Sequence, residues 1–306
     1  MNIIETQGLT RRFGKMEAVH GLTLAVPQGS VLALLGANGA GKTTTLKLLM
    51  NLLAPTAGSA RVLGVDSRKL GEKEFAQIGY VSEGQEQPRW MTVRQLLDYC
   101  RPFYPTWDRA LEATLLRRFE LPADRKLQDL SRGMLMKAAL LSSLAYRPKL
   151  LVLDEPFSGL DALVRDEFIQ GVLEVSALGE WTVVVSSHDI EEVERLADRV
   201  AMLEGGRLAL DETTEALQAR FRRVEVSVDG ETAAEIGGKT WPVAWLERET
   251  AGRMVRFVET RFEREKTEAA CRGRWPAARV TAQAMTLREI FMVLARQGRK
   301  AREVAA

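Results

Sequence analysis

Residues 36–43 read GANGAGKT, and this octet constrains the fold more than any other stretch. It matches the pattern G-x-x-x-x-G-K-[ST] in full. The apolar run SVLALLG precedes it, and TTTLKLLMNLL follows as far as Pro55. That order reads as strand, glycine loop, helix, with the helix running from Gly41 to just before Pro55. Glycines let backbone N–H groups turn inward, and a helix N-terminus adds a favourable dipole, so the loop suits phosphate. Gly36, Asn38, Gly39, Ala40, Gly41, Lys42, Thr43 and Thr44 make up this cradle. Lys42 is expected at the β- and γ-phosphates of a nucleotide, and Thr43 at Mg²⁺. The plainer alternative is a glycine-rich turn before an ordinary helix. Spacing and context together weigh against it.

A second apolar run, LLVLDEP, comes about a hundred residues later and ends in two acids, Asp154 and Glu155. In an open α/β sheet, ligands bind at the C-terminal ends of the strands. Asp154 is expected in the Mg²⁺ shell, and Glu155 is expected to orient or deprotonate an attacking water. Alone, an acidic pair reads equally well as the start of the next helix. Beside a phosphate loop in the same chain, the catalytic reading prevails.

The rest of the chain is consistent with a buried, mostly parallel sheet. TVVVSSH is a further strand, and DALVRDEFIQGVLEVSALG reads as the helix before it. Apolar strands separated by helices suggest burial on both faces. Residues 88–147 are helical in pattern and interrupt this α/β core, with LSRGMLMKAALLSSLAY starting a helix near Ser131. The character changes after Phe221. VEVSVDG and a hairpin of PVAWLERE with RMVRFVET precede a solvated helix, TRFEREKTEAACR, and then TLREIFMVLARQ, capped by Thr286 and Glu289. The expected domains are therefore 1–221 and a small extension, 222–306.

Composition narrows the function. A net charge of +2 in 306 residues is too balanced for a chain whose main partner is nucleic acid. The extension is mildly basic, with 17 Lys and Arg against 12 Asp and Glu, which reads as a solvated surface. Cys100 and Cys271 lie far apart without CxxC spacing, which fits a reducing compartment and argues against structural zinc. MNIIETQGLTRRFGK lacks the apolar core of a secretory signal. No apolar run reaches the ~18 residues that span a bilayer. The chain is expected to be soluble, and work at a membrane requires another chain to cross it.

GANGAGKTT, LSRGM, LLVLDEP, SGLD and VVVSSH, in that order, resemble an ATP-binding cassette (ABC) ATPase over roughly residues 1–215. GYVSEGQ, LSRGM and the C-terminal extension are similar to the bacterial ABC-2-type exporter branch. The resemblance implies a P-loop NTPase core with an N-terminal antiparallel β-subdomain, an inserted helical subdomain at about 88–147 and a small α+β extension. It implies an ATPase that uses ATP and Mg²⁺ and serves a separate transmembrane permease from the cytoplasmic face of the cell membrane. It implies that two cassettes pack head to tail, as a homodimer or with a different cassette, while the balanced charge speaks against nucleic acid as a partner. His188 matches the family's switch histidine, and Asp161 the loop that links the two sites. Phe13 stands where the family stacks an aromatic on adenine, and a core phenylalanine is the alternative.

Two stretches depart from the family's pattern. The loop after the second long strand usually offers Gln, whereas counting here reaches Glu83, with Gln85 and Gln87 nearby. Glu83 keeps an oxygen ligand for Mg²⁺. The signature usually reads LSGGQ. Ser131 and Gly133 are retained, as hydroxyl and as close backbone, while Arg132 and Met134 replace Gly and Gln. Arg132 adds positive charge near phosphates. Met134 removes one polar contact, a loss of about 0.5–1.5 kcal/mol. These residues are still expected to hold nucleotide, because Lys42, Asp154, Glu155 and His188 are all present. A soluble ABC ATPase acting on nucleic acid or ribosomes is the competing function, and one that binds ATP without hydrolysis is a third. The first usually carries two cassettes, a long coiled coil or zinc cysteines. The second lacks an acid or a histidine. Finally, WMTVRQLLDYCRPFYPTW offers aromatics for a partner's helix, or simply the core of the helical insert.

Overall fold

The computed structural model describes residues 1–177, 181–228 and 241–305, with side chains of 174–177 and 298–305 excepted. Two compact units are present, Met1–Asp211 and Glu212–Ala306.

The first unit begins with an antiparallel sheet. Its strands are β1 (Asn2–Phe13), β2 (Met16–Leu22) and β3 (Ala25–Pro27), joined later by β5 (Ala57–Val62) and β6 (Val65–Asp66). The central strand is β1, which pairs antiparallel with β2, β3 and β5. Between β3 and β5 lie β4 (Val31–Leu35) and helix α1 (Lys42–Leu49). The helix stops well short of Pro55, because Asn51 turns left-handed at φ 55° and the chain must reverse into β5. After β6 come α2 (Glu72–Phe75) and β7 (Ile78–Ser82).

The helical insert follows as α3 (Val93–Cys100), α4 (Arg109–Arg118) and α5 (Arg132–Leu144). Each starts at a side-chain cap: Thr92 with Gln95, Asp108, and Ser131. Such caps contribute about 1 kcal/mol apiece. The chain then returns to the sheet through β8 (Leu150–Asp154), α6 (Ala162–Ala177), β9 (Thr182–Ser187), β10 (Arg199–Glu204) and β11 (Arg207–Thr213). The sheet order is β11-β10-β4-β9-β8-β7. Pairings from β10 through β7 are parallel. Every residue of β8 and β9 is buried, as expected for strands covered on both faces. Leu46 and Leu49 of α1, Ile4 and Val62 of the antiparallel sheet, and Leu32, Val152 and Val184 of the parallel sheet share one core. Each such side chain contributes about 1.5–3 kcal/mol when fully buried.

The second unit begins ten residues before the 222 start expected from the sequence. Its first helix, α7 (Thr214–Arg220), buries Leu217 and is followed by buried Phe221. The Arg220 guanidinium bonds Glu212 and the Thr260 carbonyl, so this segment packs with the second unit. The unit holds β12 (Arg222–Ser227), β13 (Trp245–Ala251), β14 (Met254–Glu259), α8 (Arg264–Arg274), β15 (Arg279–Ala284) and α9 (Leu287–Ala305). The antiparallel order is β13-β14-β12-β15, and the expected β13–β14 hairpin forms. Trp245, Trp275 and Phe257 centre its core. The Thr286–Glu289 capping box closes in both directions.

Candidate active site

Strand register brings the site together. Adjacent parallel strands align Leu35 with Ser187, Asp154 with Ser186, and Ser82 with Asp154. The loops leaving β4, β7, β8 and β9 therefore emerge at one sheet edge, the C-terminal edge where α/β sheets bind ligands. Those loops carry residues 36–41, Glu83, Glu155 and His188.

The glycine loop wraps the start of α1. Gly41 is its N-cap at φ 100°, and a Cβ there would come within 2.3 Å of the Ala18 carbonyl oxygen, so no other residue fits without moving the backbone. Asn38 and Gly39 are exposed, Ala40 is buried, and Thr43 and Thr44 are half-buried. The amides at residues 41–44 are the first of α1, which the helix itself leaves unused. Lys42 is 5% exposed. Its ammonium donates to the Gly36 carbonyl at 2.7 Å and to Ala37 at 3.3 Å. It also pairs with Glu155 Oε1 at 2.9 Å.

The acids lie beside it. Thr43 Oγ1 donates to Asp154 Oδ1 at 3.0 Å. Glu155 leaves β8 with a left-handed backbone, φ 50°, a strained conformation of the kind concentrated at functional sites. Its Oε2 is 2.9 Å from His188 Nδ1. Burial pushes the Glu155 pKa upward, but the hydrogen bond with His188 and the ion pair with Lys42 outweigh it and hold the pKa below the usual 4.5. The carboxylate is thus charged and aimed between the lysine and the histidine.

Of the three residues expected at Mg²⁺, Thr43 and Asp154 meet. The Glu83 amide donates to the Asp154 carbonyl at 3.2 Å, but its carboxylate forms a close ion pair with Arg132. Ser131 caps α5, its Oγ accepting from the Met134 amide at 3.2 Å. Ser131 and Arg132 are exposed, and Met134 is half-buried. Gly133 is buried, and a Cβ there would lie 2.6 Å from Val164 Cγ1. The small size at 133, expected to keep backbone near a nucleotide, is therefore also required by packing against α6. Asp161 caps α6 through the Val164 amide at 2.9 Å. Phe13 is 42% exposed with the Arg11 guanidinium 4.6 Å from its ring centre, which removes the core-phenylalanine alternative.

Comparison with known proteins bears on this arrangement. The ABC transporter family model matches residues 19–158. The Nod factor export ATP-binding protein I of Burkholderia orbicola is 36% identical over 219 residues, covering 70% of this chain and 72% of that protein. The daunorubicin resistance ATP-binding protein DrrA2 of Streptomyces coeruleorubidus is 31% identical over 98% of this chain and 90% of its own length.

The chain belongs to the ABC transporter ATP-binding proteins.

It is accordingly an ATPase of the kind that couples hydrolysis to transport. A solved ATP-binding subunit of an ABC transporter superposes on this cassette with a TM-score of 0.64 and 26% identity, over 71% of the chain and 92% of the other. Among the described residues, no helix is long and apolar enough to cross a membrane.

Sequence reasoning passed over two groups in this ABC cassette. Ser186, wholly buried, donates to Asp154 Oδ1 at 2.7 Å and accepts from the Glu155 amide at 2.9 Å. Glu192, also buried, accepts from Ser187 Oγ and pairs with Arg165 at 3.5 Å. Its carboxylate lies within 4.8 Å of the ligand atoms of Glu155 and His188. The available signal was polarity in the wrong place. Serines in the otherwise apolar VVVSSH need buried partners.

Proposed function

We propose that this chain is the energy-coupling subunit of a membrane exporter and works as one of two cassettes closed head to tail on ATP. The observation that carries this reading is the single carboxylate of Glu155 shared between Lys42 and His188. It holds together the three groups that this reading uses: Lys42 for the nucleotide, Glu155 for the attacking water and His188 for the γ-phosphate. Glycine-loop amides and Lys42 bind the triphosphate, Phe13 stacks on the base, and Glu155 orients the attacking water. Thr43 and Asp154 offer hard oxygens 3.0 Å apart, a donor set suited to Mg²⁺. Bound there, the ion would neutralise charge on the β- and γ-phosphates.

The Ser131–Met134 segment of α5 grips the nucleotide of the second cassette, and Asp161 links the two sites. ATPase activity resides in the first unit, and the α+β extension accompanies it. A separate permease crosses the membrane, with the cassette on its cytoplasmic face. Trp90, Tyr99 and Phe103 of the helical insert are 56–65% exposed, which suits docking of a partner's apolar helix. Tyr104 instead stacks on Tyr146, ring centres 3.7 Å apart. Relatives named for Nod factor export and daunorubicin resistance support export over import.

The test is the solution mass of Glu155→Gln with and without MgATP. The substitution keeps the binding groups and removes the base, so doubling of mass only with MgATP is expected. A monomer that still binds ATP means that this chain does not close on a copy of itself.

A further inference from the structure

Two of the residues at which this chain departs from its family's pattern face each other. Residue 83 is Glu in place of Gln, and residue 132 is Arg in place of the first Gly of LSGGQ. Arg132 Nη2 donates to Glu83 Oε1 in a close ion pair. The guanidinium also lies against Gly159, where a Cβ would come 2.4 Å from Nη1. Room for it therefore exists because residue 159 has no side chain. One arginine joins three segments of its own chain: the loop after β7, the start of α5 and the turn before α6. The loop carrying Glu83 is itself tied to the Asp154 carbonyl at 3.2 Å. Arg132 and Glu83 side chains remain 52% and 44% exposed, so a stronger anion can reach and displace the carboxylate.

We propose that Glu83 is a positioning residue. It holds Arg132 within its own cassette until the phosphate of a nucleotide on the second cassette takes the guanidinium over. This inference rests on the head-to-tail reading above. The chemistry favours such a handover. A guanidinium fork fits phosphate in two-point contact, and a triphosphate carries more charge than one carboxylate. Without Glu83, the arginine and the positive N-terminus of α5 would stand together uncompensated. Without Arg132, the Glu83 carboxylate would face incoming phosphate as a like charge. The two departures compensate each other, whereas the neutral Gln and Gly of the usual pattern need no such pairing.

The test uses full-length Glu155→Gln protein carrying Glu83→Gln, Arg132→Gly, both together, or the exchange Glu83→Arg with Arg132→Glu. Amide hydrogen exchange of the nucleotide-free proteins at residues 83–87 and 131–136 reads the pair itself. Exchange should rise about threefold in either single variant and return toward the parent in the charge exchange. The MgATP concentration at half-maximal dimer reads the handover. Glu83→Gln should lower it about threefold and Arg132→Gly should raise it about as much, with the double variant near the parent. The charge exchange should raise it despite restoring the pair. A merely structural contact would move both single variants the same way, and that outcome overturns the proposal. Unchanged hydrogen exchange overturns it as well. If the Glu155→Gln parent never dimerises, closure on a copy of this chain fails and the handover between copies fails with it. A parent that dimerises while Glu83→Gln leaves its midpoint unchanged sinks the handover alone.

Discussion

His188 Nδ1 lies 2.9 Å from Glu155 Oε2, although 33 residues separate them in sequence. The other oxygen of the same carboxylate is 2.9 Å from Lys42. One acid thereby joins the strand that carries the phosphate loop to the strand that ends in the histidine.

This relationship sets a pH dependence. Burial works against the Glu155 charge, yet His188 and Lys42 together hold its pKa below 4.5. A depressed carboxylate contributes stability that is fully present above the unfolded value and is lost as pH falls through the folded one. The unfolding free energy of the wild type relative to Glu155→Gln should therefore be flat above about pH 5.5 and decline below it. Urea melts across this range check it. A difference that grows on acidification would contradict the ion pairing.

Ser186→Ala should cost about 1–3 kcal/mol, because it strands the buried Glu155 amide and removes a donor to Asp154. Chemical denaturation measures the loss. MgATP hydrolysis should fall as well, since both acids lose a shared anchor. Wild-type stability in this variant would mean that the hydroxyl contributes nothing to holding the strand end.

Gly133→Ala should destabilise the cassette by about 1–3 kcal/mol through overpacking. The added methyl meets Val164 at 2.6 Å. Combining it with Val164→Ala should recover part of the loss, as expected for directly touching residues. A double-mutant cycle by denaturation decides this. No recovery would place the clash elsewhere.

The two thiols should react at very different rates. Cys271 is 0% exposed, and burial pushes its pKa up to about 12. Cys100 is half-buried, with its pKa also raised by burial. A thiolate is the reactive form, so a chromogenic disulfide should label Cys100 first and Cys271 only on unfolding. Equal rates in the native protein would contradict the burial of Cys271.

The sequence by itself determined the parts of this protein whose geometry is local. GANGAGKT dictates a tight glycine turn into a helix, and Ser131 and Thr286 announce the helices they cap, because each acts within about four residues of itself. LLVLD and TVVVSS were legible as buried strands because continuous apolar runs have nowhere else to go. The tertiary structure decided the rest. Strand order and register placed Ser186 beside Asp154, 32 residues away, and no periodicity encodes such a pairing. Nothing in LSRGM shows that Arg132 reaches Glu83, 49 residues away, or that Gly159 leaves it space. The α1 helix ends at Leu49 because its chain must turn back into β5, a demand of the sheet it serves. Local motifs set which groups are present. Packing sets which of them touch, since side-chain contact depends on the register of elements far apart in the chain.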